Sequence, residues 1–155
     1  MKKPSRTTWP IAAGVALAVG VAAGAAASRR RRRSIVRAED VSPHALLSPP
    51  SLEPDTIEVQ TDDGARLNVL AYGDPEAQTL VFCHGWTCNA AYWTPQINAF
   101  AENYRVVVYD QRGHGNSDAG ARPLGADVLA DDLNSVLDAT VPAGRTAILA
   151  GHSMG

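Results

Sequence analysis

The sequence has 155 residues, a length typical of one domain, and its charge is unevenly distributed. Residues 1–37 carry nine lysines or arginines and no acidic residue, whereas residues 38–155 carry five arginines, no lysine and sixteen acidic residues. Because phosphate binding requires clustered cations, the acidic body argues against nucleic acid as a partner.

The amino-terminal segment predicts a membrane anchor. Ile11–Ala27 is a run of seventeen uncharged residues. As a helix it would be about 26 Å long at roughly 1.5 Å per residue, slightly shorter than a bilayer core of about 30 Å. Arg29–Arg33 follows directly, and the positive-inside rule then places the rest of the chain in the cytoplasm. We therefore expect residues 1–37 to form a single-pass anchor in the cell membrane.

Other interpretations of this segment stay open. Ala25–Ala27 before Ser28 resembles a signal-peptidase site, which predicts secretion after cleavage near Ala27. A poorly structured basic tail is a further alternative. Gly20 and Gly24 have the Gly-x-x-x-Gly spacing that lets two membrane helices approach closely, so the segment also predicts a helix-mediated dimer.

The predicted body begins after a linker. Residues 38–54 contain four prolines and no sustained hydrophobic periodicity. Thr56–Gln60 and Arg66–Tyr72 then alternate apolar and polar residues, and Asp62–Gly64 between them has turn-forming residues. This pattern predicts an antiparallel hairpin.

Three short and nearly continuous apolar runs follow, which is typical of parallel strands that are buried on both faces. They are Thr79–Cys83, Arg105–Tyr109 and Thr146–Ala150. Helices are predicted between them over Ala90–Glu102 and Asp127–Thr140. The alternation predicts an α/β fold, a doubly wound and mostly parallel sheet that starts with the antiparallel hairpin and is truncated after its fifth strand.

The second predicted helix has a single apolar face. This face consists of Leu129, Leu133, Val136 and Leu137. The aspartates that fall outside it are Asp131, Asp132 and Asp138. We therefore expect the helix to pack on the sheet through its leucines and valine.

The last five residues, Gly151–Gly155, read Gly-x-Ser-x-Gly directly after a predicted strand. This pattern places a serine on a sharp strand-to-helix turn, the nucleophile elbow of serine hydrolases. Glycines before and after the serine leave room for the strained turn, which exposes Ser153 above the strand ends. A plain Gly-Ser-Gly turn is the alternative, and the apolar strand before it favours the elbow.

Two further motifs follow predicted strands. They are Phe82–Trp86, with the sequence Phe-Cys-His-Gly-Trp, and Asp110–Ser117, with the sequence Asp-Gln-Arg-Gly-His-Gly-Asn-Ser. Together with Gly151–Gly155, and in this order, they resemble the α/β-hydrolase superfamily. The resemblance extends over roughly Thr56 to Gly155 and corresponds to the amino-terminal part of that fold. It implies that residues 55–155 form a partial α/β-hydrolase domain.

The resemblance also implies roles for individual residues. Ser153 would be the nucleophile, and the backbone N–H groups of Trp86 and Met154 would form the oxyanion hole. In this fold the acidic residue and the histidine of the triad follow the serine, and neither follows Ser153 in this sequence. Two interpretations of the Trp86 side chain stay open, since it either lines the acyl pocket or only packs.

All four histidines precede Ser153: His44, His84, His114 and His152. The resemblance implies that His84 and His152 shape the oxyanion loop and the elbow, and that His114 makes structural hydrogen bonds near the site. None is therefore the expected base, although a rewired site with His114 as the base stays an alternative.

No cofactor and no metal is expected. Gly113 and Gly115 lack the third glycine of a dinucleotide-binding loop, and no phosphate-binding Gly-Lys-Ser/Thr occurs. The histidines lack the spacing of metal ligands, and Cys83 and Cys88 match neither Cys-x-x-Cys nor a zinc pattern.

The resemblance predicts a membrane-anchored serine hydrolase that acts on small acyl substrates, namely esters, thioesters or lactones, by acyl transfer to water. Serine at the elbow disfavours epoxide-hydrolase and dehalogenase chemistry, while peptidase, acyltransferase and lyase activities stay open. Because the triad acid and base are absent, we expect this chain to be incomplete and inactive by itself. The alternative function is a non-catalytic fragment or interaction module.

Overall fold

The computed structural model describes residues 42–155. The strands are β1 (Asp55–Gln60), β2 (Arg66–Tyr72), β3 (Thr79–Cys83), β4 (Arg105–Tyr109) and β5 (Ala147–Gly151). The helices are α1 (Pro43–Leu47), α2 (Thr94–Phe100) and α3 (Ala126–Thr140), and a 3₁₀ turn at Ala90–Trp93 precedes α2. Helix α1 lies within the predicted linker, where the Asn98 side chain of α2 donates to the carbonyls of Leu46 and Ser48.

The predicted cell-membrane location is wrong for the part of the chain that the structure describes. Within residues 42–155 no helix is long and apolar enough to cross a bilayer. The longest, α3, has fifteen residues and several aspartates, whereas a spanning helix needs about 20 mostly apolar residues. The predicted anchor Ile11–Ala27, its cleavage site and the Gly20–Gly24 contact lie outside the described residues.

The five strands form one sheet in the order β1-β2-β4-β3-β5. Strand β2 pairs antiparallel with both β1 and β4, whereas β3 pairs parallel with both β4 and β5. This confirms the predicted α/β fold with an antiparallel hairpin at its start. The carboxyl ends of β3, β4 and β5 therefore share one edge of the sheet, where the three predicted motifs come together.

The strands β3 and β4 are buried on both faces of the sheet, and their side chains alternate between the two faces. In β4, Val107 packs on one face with Val69, Val81 and Val136 of α3. Its neighbours Val106 and Val108 pack on the other face with Phe82 and Trp93. Strand β5 differs from the prediction of a fully buried strand, since Ile148 and Leu149 are 56% and 50% exposed at the sheet edge.

The helix predicted over Ala90–Glu102 is interrupted. Pro95 has no N–H to donate to the carbonyl of Ala91 four residues earlier. The N–H and the hydroxyl of Thr94 bond to that carbonyl instead, and Trp93 leaves helical geometry at φ −90° and ψ 10°. A 3₁₀ turn followed by a separate α-helix is the result.

In helix α3, Asp132 is only 1% exposed, although it falls outside the predicted apolar face. Its carboxylate pairs with the buried guanidinium of Arg112, which lies in the loop after β4. Val128 is also buried, while Leu133 and Leu137 pack at the margin of the core. The apolar pattern did not predict the burial of Asp132, because its ion-pair partner Arg112 lies twenty residues away in the chain.

Candidate active site

The turn after β5 holds Ser153 in the left-handed conformation, with φ of 58°. The turn is closed by the Gly155 N–H, which donates to the His152 carbonyl at 3.0 Å. A Cβ atom on Gly151 would overlap the backbone of Gly155, and one on Gly155 would overlap the carbonyl of Cys83. Both glycines are therefore sterically required.

The turn is attached to the end of β3. The His152 N–H donates to the Cys83 carbonyl at 3.1 Å, and Cys83 pairs with Gly151 in the parallel register. A Cβ atom added to Gly85 would lie 3.2 Å from Cβ of Ser153. The loop after β3 thus brings its backbone directly beside the predicted nucleophile, and Trp86 follows Gly85 in that loop.

His84 lies beneath this loop and is fully buried. Its Nδ1 is 2.8 Å from the Gly85 carbonyl oxygen, and its Nε2 accepts the backbone N–H of Gln111 at 3.0 Å. Because Nε2 accepts a hydrogen bond, the proton lies on Nδ1, which donates to Gly85. Burial lowers the pKa of His84, and the nearby His114 ring acts in the same direction. The ring is therefore neutral at physiological pH.

The loop after β3 contains a second strained residue. The Cys88 N–H donates to the Gly85 carbonyl at 3.2 Å and closes a four-residue turn. Its third residue, Thr87, has φ of 61°. Glycine or asparagine usually occupies a left-handed turn position, and a β-branched residue there is an outlier.

Aromatic side chains surround the turn. Trp86 is 59% exposed, and its ring meets that of His114 edge to face with centroids 5.5 Å apart. Tyr92 stacks on His152 at 5.0 Å. These ring contacts connect the loop after β3 with the loop after β4, and the 3₁₀ turn with the turn after β5.

The loop after β4 is held by a dense set of hydrogen bonds. The Asp110 carboxylate accepts the N–H groups of Ala90 and Asn116 at 2.7 and 2.9 Å and the side-chain amide of Asn68 at 3.0 Å. The Ser117 hydroxyl donates to the Asp110 carbonyl at 2.6 Å. Asp110 therefore acts as a brace between three segments.

Arg112 in the same loop lies between two carboxylates. Its Nε and Nη2 each lie 2.6 Å from the carboxylate of Asp132, and its Nη1 lies 3.0 Å from Asp63. Asp63 also accepts the backbone N–H groups of Ala121 and Arg122. The Arg112 guanidinium, followed by the Thr61 hydroxyl, holds the pKa of Asp63 far below its usual range.

Within residues 42–155 no histidine is hydrogen-bonded to the hydroxyl of Ser153. The ring nitrogens of His84 bond to the Gly85 carbonyl and the Gln111 N–H, and Nδ1 of His114 bonds to the Arg112 carbonyl at 3.0 Å. His152 lies in the elbow itself, and His44 is in α1. The same described residues contain no group of three or more His, Cys, Asp or Glu side chains placed to hold a metal ion.

The structure places Trp86 on the loop after β3, and it places Ser153 and Met154 on the adjoining turn after β5. Sequence reasoning missed Gln111, Thr87 and the carboxylate partners of Arg112. No local pattern indicated the ion pairs of Arg112, because Asp63 and Asp132 are far from it in the chain. No local pattern indicated the left-handed conformation of Thr87 either, since glycine usually fills such positions.

Comparisons with known proteins agree with this geometry. A family model described as the alpha/beta hydrolase fold matches residues 78–155. Non-heme chloroperoxidase of Streptomyces lividans is 35% identical over 98 residues, which are 63% of this chain and 35% of that protein. Epoxide hydrolase 4 of Mus musculus is 32% identical over 121 residues, which are 77% of this chain and 33% of that protein.

Solved structures are similar over the same part. Carboxylesterase CesB from Bacillus subtilis is 27% identical with a TM-score of 0.59, over 67% of this chain and 36% of that one. The chain thus spans about a third of the length of these relatives. Because their names describe different activities, the similarity identifies a family and leaves the reaction open.

Proposed function

The chain belongs to the alpha/beta hydrolase family, and on this basis we propose that Ser153 is the nucleophile of a serine hydrolase that transfers an acyl group to water. The observation that carries the proposal is the left-handed backbone of Ser153 on the turn after β5. Such a conformation costs about 1–3 kcal/mol and clusters at active sites. Two glycines that tolerate no Cβ atom support the turn.

In the proposed reaction the Ser153 Oγ attacks the carbonyl carbon of the substrate. The hydroxyl proton passes to a general base, and the carbonyl oxygen becomes an oxyanion. The N–H groups of Trp86 and Met154 would donate to this oxyanion, and loss of one such donor typically lowers the rate about 100- to 1,000-fold. Collapse of the intermediate breaks the bond to the leaving oxygen or sulfur, which takes the proton from the base. An alcohol or thiol is released, whereas the new hydroxyl of an opened lactone stays attached to the acyl group. Water then hydrolyses acyl-Ser153.

The proposal assigns this chain the nucleophile and the oxyanion donors, and it assigns no residue of the chain as the base. In this family the acid and the histidine follow the serine. No described histidine is bonded to Ser153, since His84 and His114 have other partners. Residues 55–155 are the hydrolase portion in this proposal.

The proposed substrates are small carboxylic esters, thioesters or lactones. All three present a carbonyl carbon with a leaving group, as acyl transfer to serine requires. Epoxide opening is disfavoured because this superfamily uses an aspartate at the elbow for that reaction. The similarity to a carboxylesterase over the same residues supports ester chemistry.

The proposal is tested by acylation of the 155-residue chain with p-nitrophenyl acetate. We expect one acetyl group per chain on the tryptic peptide 146–155, with little steady-state turnover. An oxyanion hole without a working triad retains catalysis of about 10³- to 10⁴-fold over water, so acylation is measurable. Intact-mass spectrometry with peptide mapping gives both the number and the position of acetyl groups.

Two serine variants make the experiment decisive. Ser153→Ala should remove the acetyl group, whereas Ser135→Ala on α3 should leave it in place. Equal labelling of Ser153→Ala and wild type would contradict the proposal and favour the non-catalytic interaction module. Rapid steady-state turnover would show that the chain does contain a base, and loss of that turnover in His114→Ala would identify it.

A further inference from the structure

We propose that residues 42–54 form a strap that opens and closes on helix α2, and that the side-chain amide of Asn98 is the latch that holds the strap closed. The strap lies within the segment that the sequence predicts as a linker, and it precedes residues 78–155, which the family model matches. This conformational device is independent of the proposed reaction at Ser153.

The closed strap is attached to α2 through one side chain. Nδ2 of Asn98 donates to the carbonyls of Leu46 and Ser48 at 2.9 and 2.8 Å. The Ala45 carbonyl oxygen lies 3.2 Å from the same nitrogen. The last carbonyls of a helix have no partner within that helix, and a side-chain amide nitrogen has two hydrogens to donate. Asn98 therefore caps the carboxyl end of α1 from the neighbouring helix.

Helix α1 has little else to hold it in place. It has five residues, none of which is buried, and Leu47 is 72% exposed. Because a helix this short is not stable in water by itself, it depends on its contacts with the rest of the domain. The hydroxyl and the N–H of Ser48 bond to the His44 carbonyl, which supports the turn but not its attachment. Among residues 42–155, Asn98 supplies all the hydrogen bonds between α1 and α2.

The carboxyl end of the strap is fixed in a different way. It leads into Asp55, the first residue of β1, which pairs with Ala71 of β2. The Asp55 carboxylate also accepts Nη2–H of Arg105 at 2.7 Å. Arg105 is buried, and its Nη1 donates to the Gly73 carbonyl at 2.8 Å. This end therefore belongs to the sheet and stays in place when the latch opens.

The connection between the two ends is residues 49–54, which form neither helix nor strand. This connection contains Pro49, Pro50 and Pro54, which have no N–H to donate to a neighbouring segment. Proline-rich segments are extended and semi-rigid. The strap therefore opens at its amino end, where α1 leaves α2 as one unit, while β1 remains paired.

Hydrogen exchange in the 155-residue chain, followed through ¹H–¹⁵N amide signals, tests the latch. The N–H groups of Leu46 and Ser48 bond within α1. In wild type they should exchange more slowly than in a free peptide of residues 38–54 and faster than the amides of β3, since local opening costs less than global unfolding. In Asn98→Ala we expect their exchange to accelerate at least about tenfold, because the attachment loses two hydrogen bonds. The amides of β3 and β4 should keep their wild-type rates.

Two further variants separate the latch from helix propensity. Alanine favours a helix more than asparagine does, whereas aspartate does not. The carboxylate of Asn98→Asp donates no hydrogen bond and faces carbonyl oxygens, so this variant should open the strap at least as much as Asn98→Ala. Asn134→Ala on α3 is the matched control, since Asn134 is an exposed helical asparagine, and it should leave exchange in the strap unchanged.

Two results with a folded Asn98→Ala would overturn the proposal. One is wild-type exchange at Leu46 and Ser48, and the other is an equal acceleration in the strap and in β3, because Asn98 would then stabilise the whole domain. If that variant does not fold, the wild-type chain decides. Strap amides that exchange as fast as those of the free peptide, or as slowly as those of β3, would exclude a strap that opens by itself, whereas an intermediate rate supports it.

Discussion

The loop after β4 and the loops after β3 and β5 meet at one edge of the sheet but differ in how they are stabilised. In the β4 loop, Asp110 and Arg112 are buried, and their polar groups have hydrogen-bond partners throughout. The other two loops contain Thr87 and Ser153, the only non-glycine residues with positive φ among residues 42–155. One loop provides stability, and the other two contain strain.

The comparison shows how strain can persist near a site. A left-handed residue is retained only when its surroundings determine its conformation. The bonds from Gln111 to His84 and from Asp110 to Ala90 run from the stable loop to the segments that flank Thr87. The β4 loop therefore supports the candidate site through these hydrogen bonds.

The largest expected loss of stability comes from a substitution in the loop after β4. Arg112→Met leaves Asp132 buried without its cation, and removal of one partner from a buried pair typically costs about 3–5 kcal/mol. The methionine fills much of the space of the arginine stem, so the loss of charge dominates. We expect the urea midpoint to fall strongly, as followed by circular dichroism.

The adjacent exposed pair is the matched control for this substitution. Arg122 lies 2.7 Å from Asp131, which precedes Asp132 in α3, and both side chains of that pair are partly solvated. Exposed pairs contribute about 0–1 kcal/mol, so Arg122→Met should change the midpoint little. Equal losses in Arg112→Met and Arg122→Met would show that the β4 loop does not depend on its buried pair.

A smaller effect is expected on how the stability of the chain depends on pH, because Asp63 bonds to Arg112 of the same loop. Because the pKa of Asp63 is lowered by the Arg112 guanidinium, the unfolded chain takes up this proton first as the pH falls. The contribution of Asp63 is thus complete above its unfolded pKa of about 3.9 and is lost progressively below it. Urea midpoints between pH 7 and pH 3 should fall less in Asp63→Asn than in wild type.

Asp62→Asn is the control for this experiment, since it changes the exposed carboxylate next to Asp63. An acid-induced loss of the same size in Asp63→Asn and in wild type would contradict the assignment. The effect of Asp63→Asn at neutral pH should be smaller than that of Arg112→Met, because asparagine keeps an oxygen for the N–H groups of Ala121 and Arg122.

The strands were predictable to within about one residue, because apolar alternation and continuous apolar runs are local patterns. Even β5 was placed correctly along the chain, although Ile148 and Leu149 are exposed. The boundaries of the helices were harder to predict from the sequence. Pro95 divides the segment after β3, and the outcome depends on whether Thr94 can satisfy the Ala91 carbonyl, which is a matter of three-dimensional geometry.

For the candidate site, the motif at Gly151–Gly155 was sufficient to place Ser153 on a turn, because the steric need for its two glycines is local. The pairing of Arg112 with Asp63 and Asp132 was not predictable, since its members are far apart in the chain. The tautomer of His84 depends in the same way on Gln111, which reaches it only in the folded sheet.

The smallest expected effect tests strain in the β3 loop. Glycine can adopt the left-handed conformation of residue 87 without a steric cost, so Thr87→Gly removes strain of about 1–2 kcal/mol. The substitution also raises the entropy of the unfolded state, which costs about 0.5–1 kcal/mol of stability. The free energy of unfolding should therefore rise by about 0.5–1 kcal/mol in urea titrations. Thr56→Gly, on the exposed strand β1, has no strain to release and should lose about 0.5–1 kcal/mol. A loss in both variants would mean that the Thr87 side chain stabilises its loop, whereas opposite signs locate the strain beside the candidate oxyanion donor.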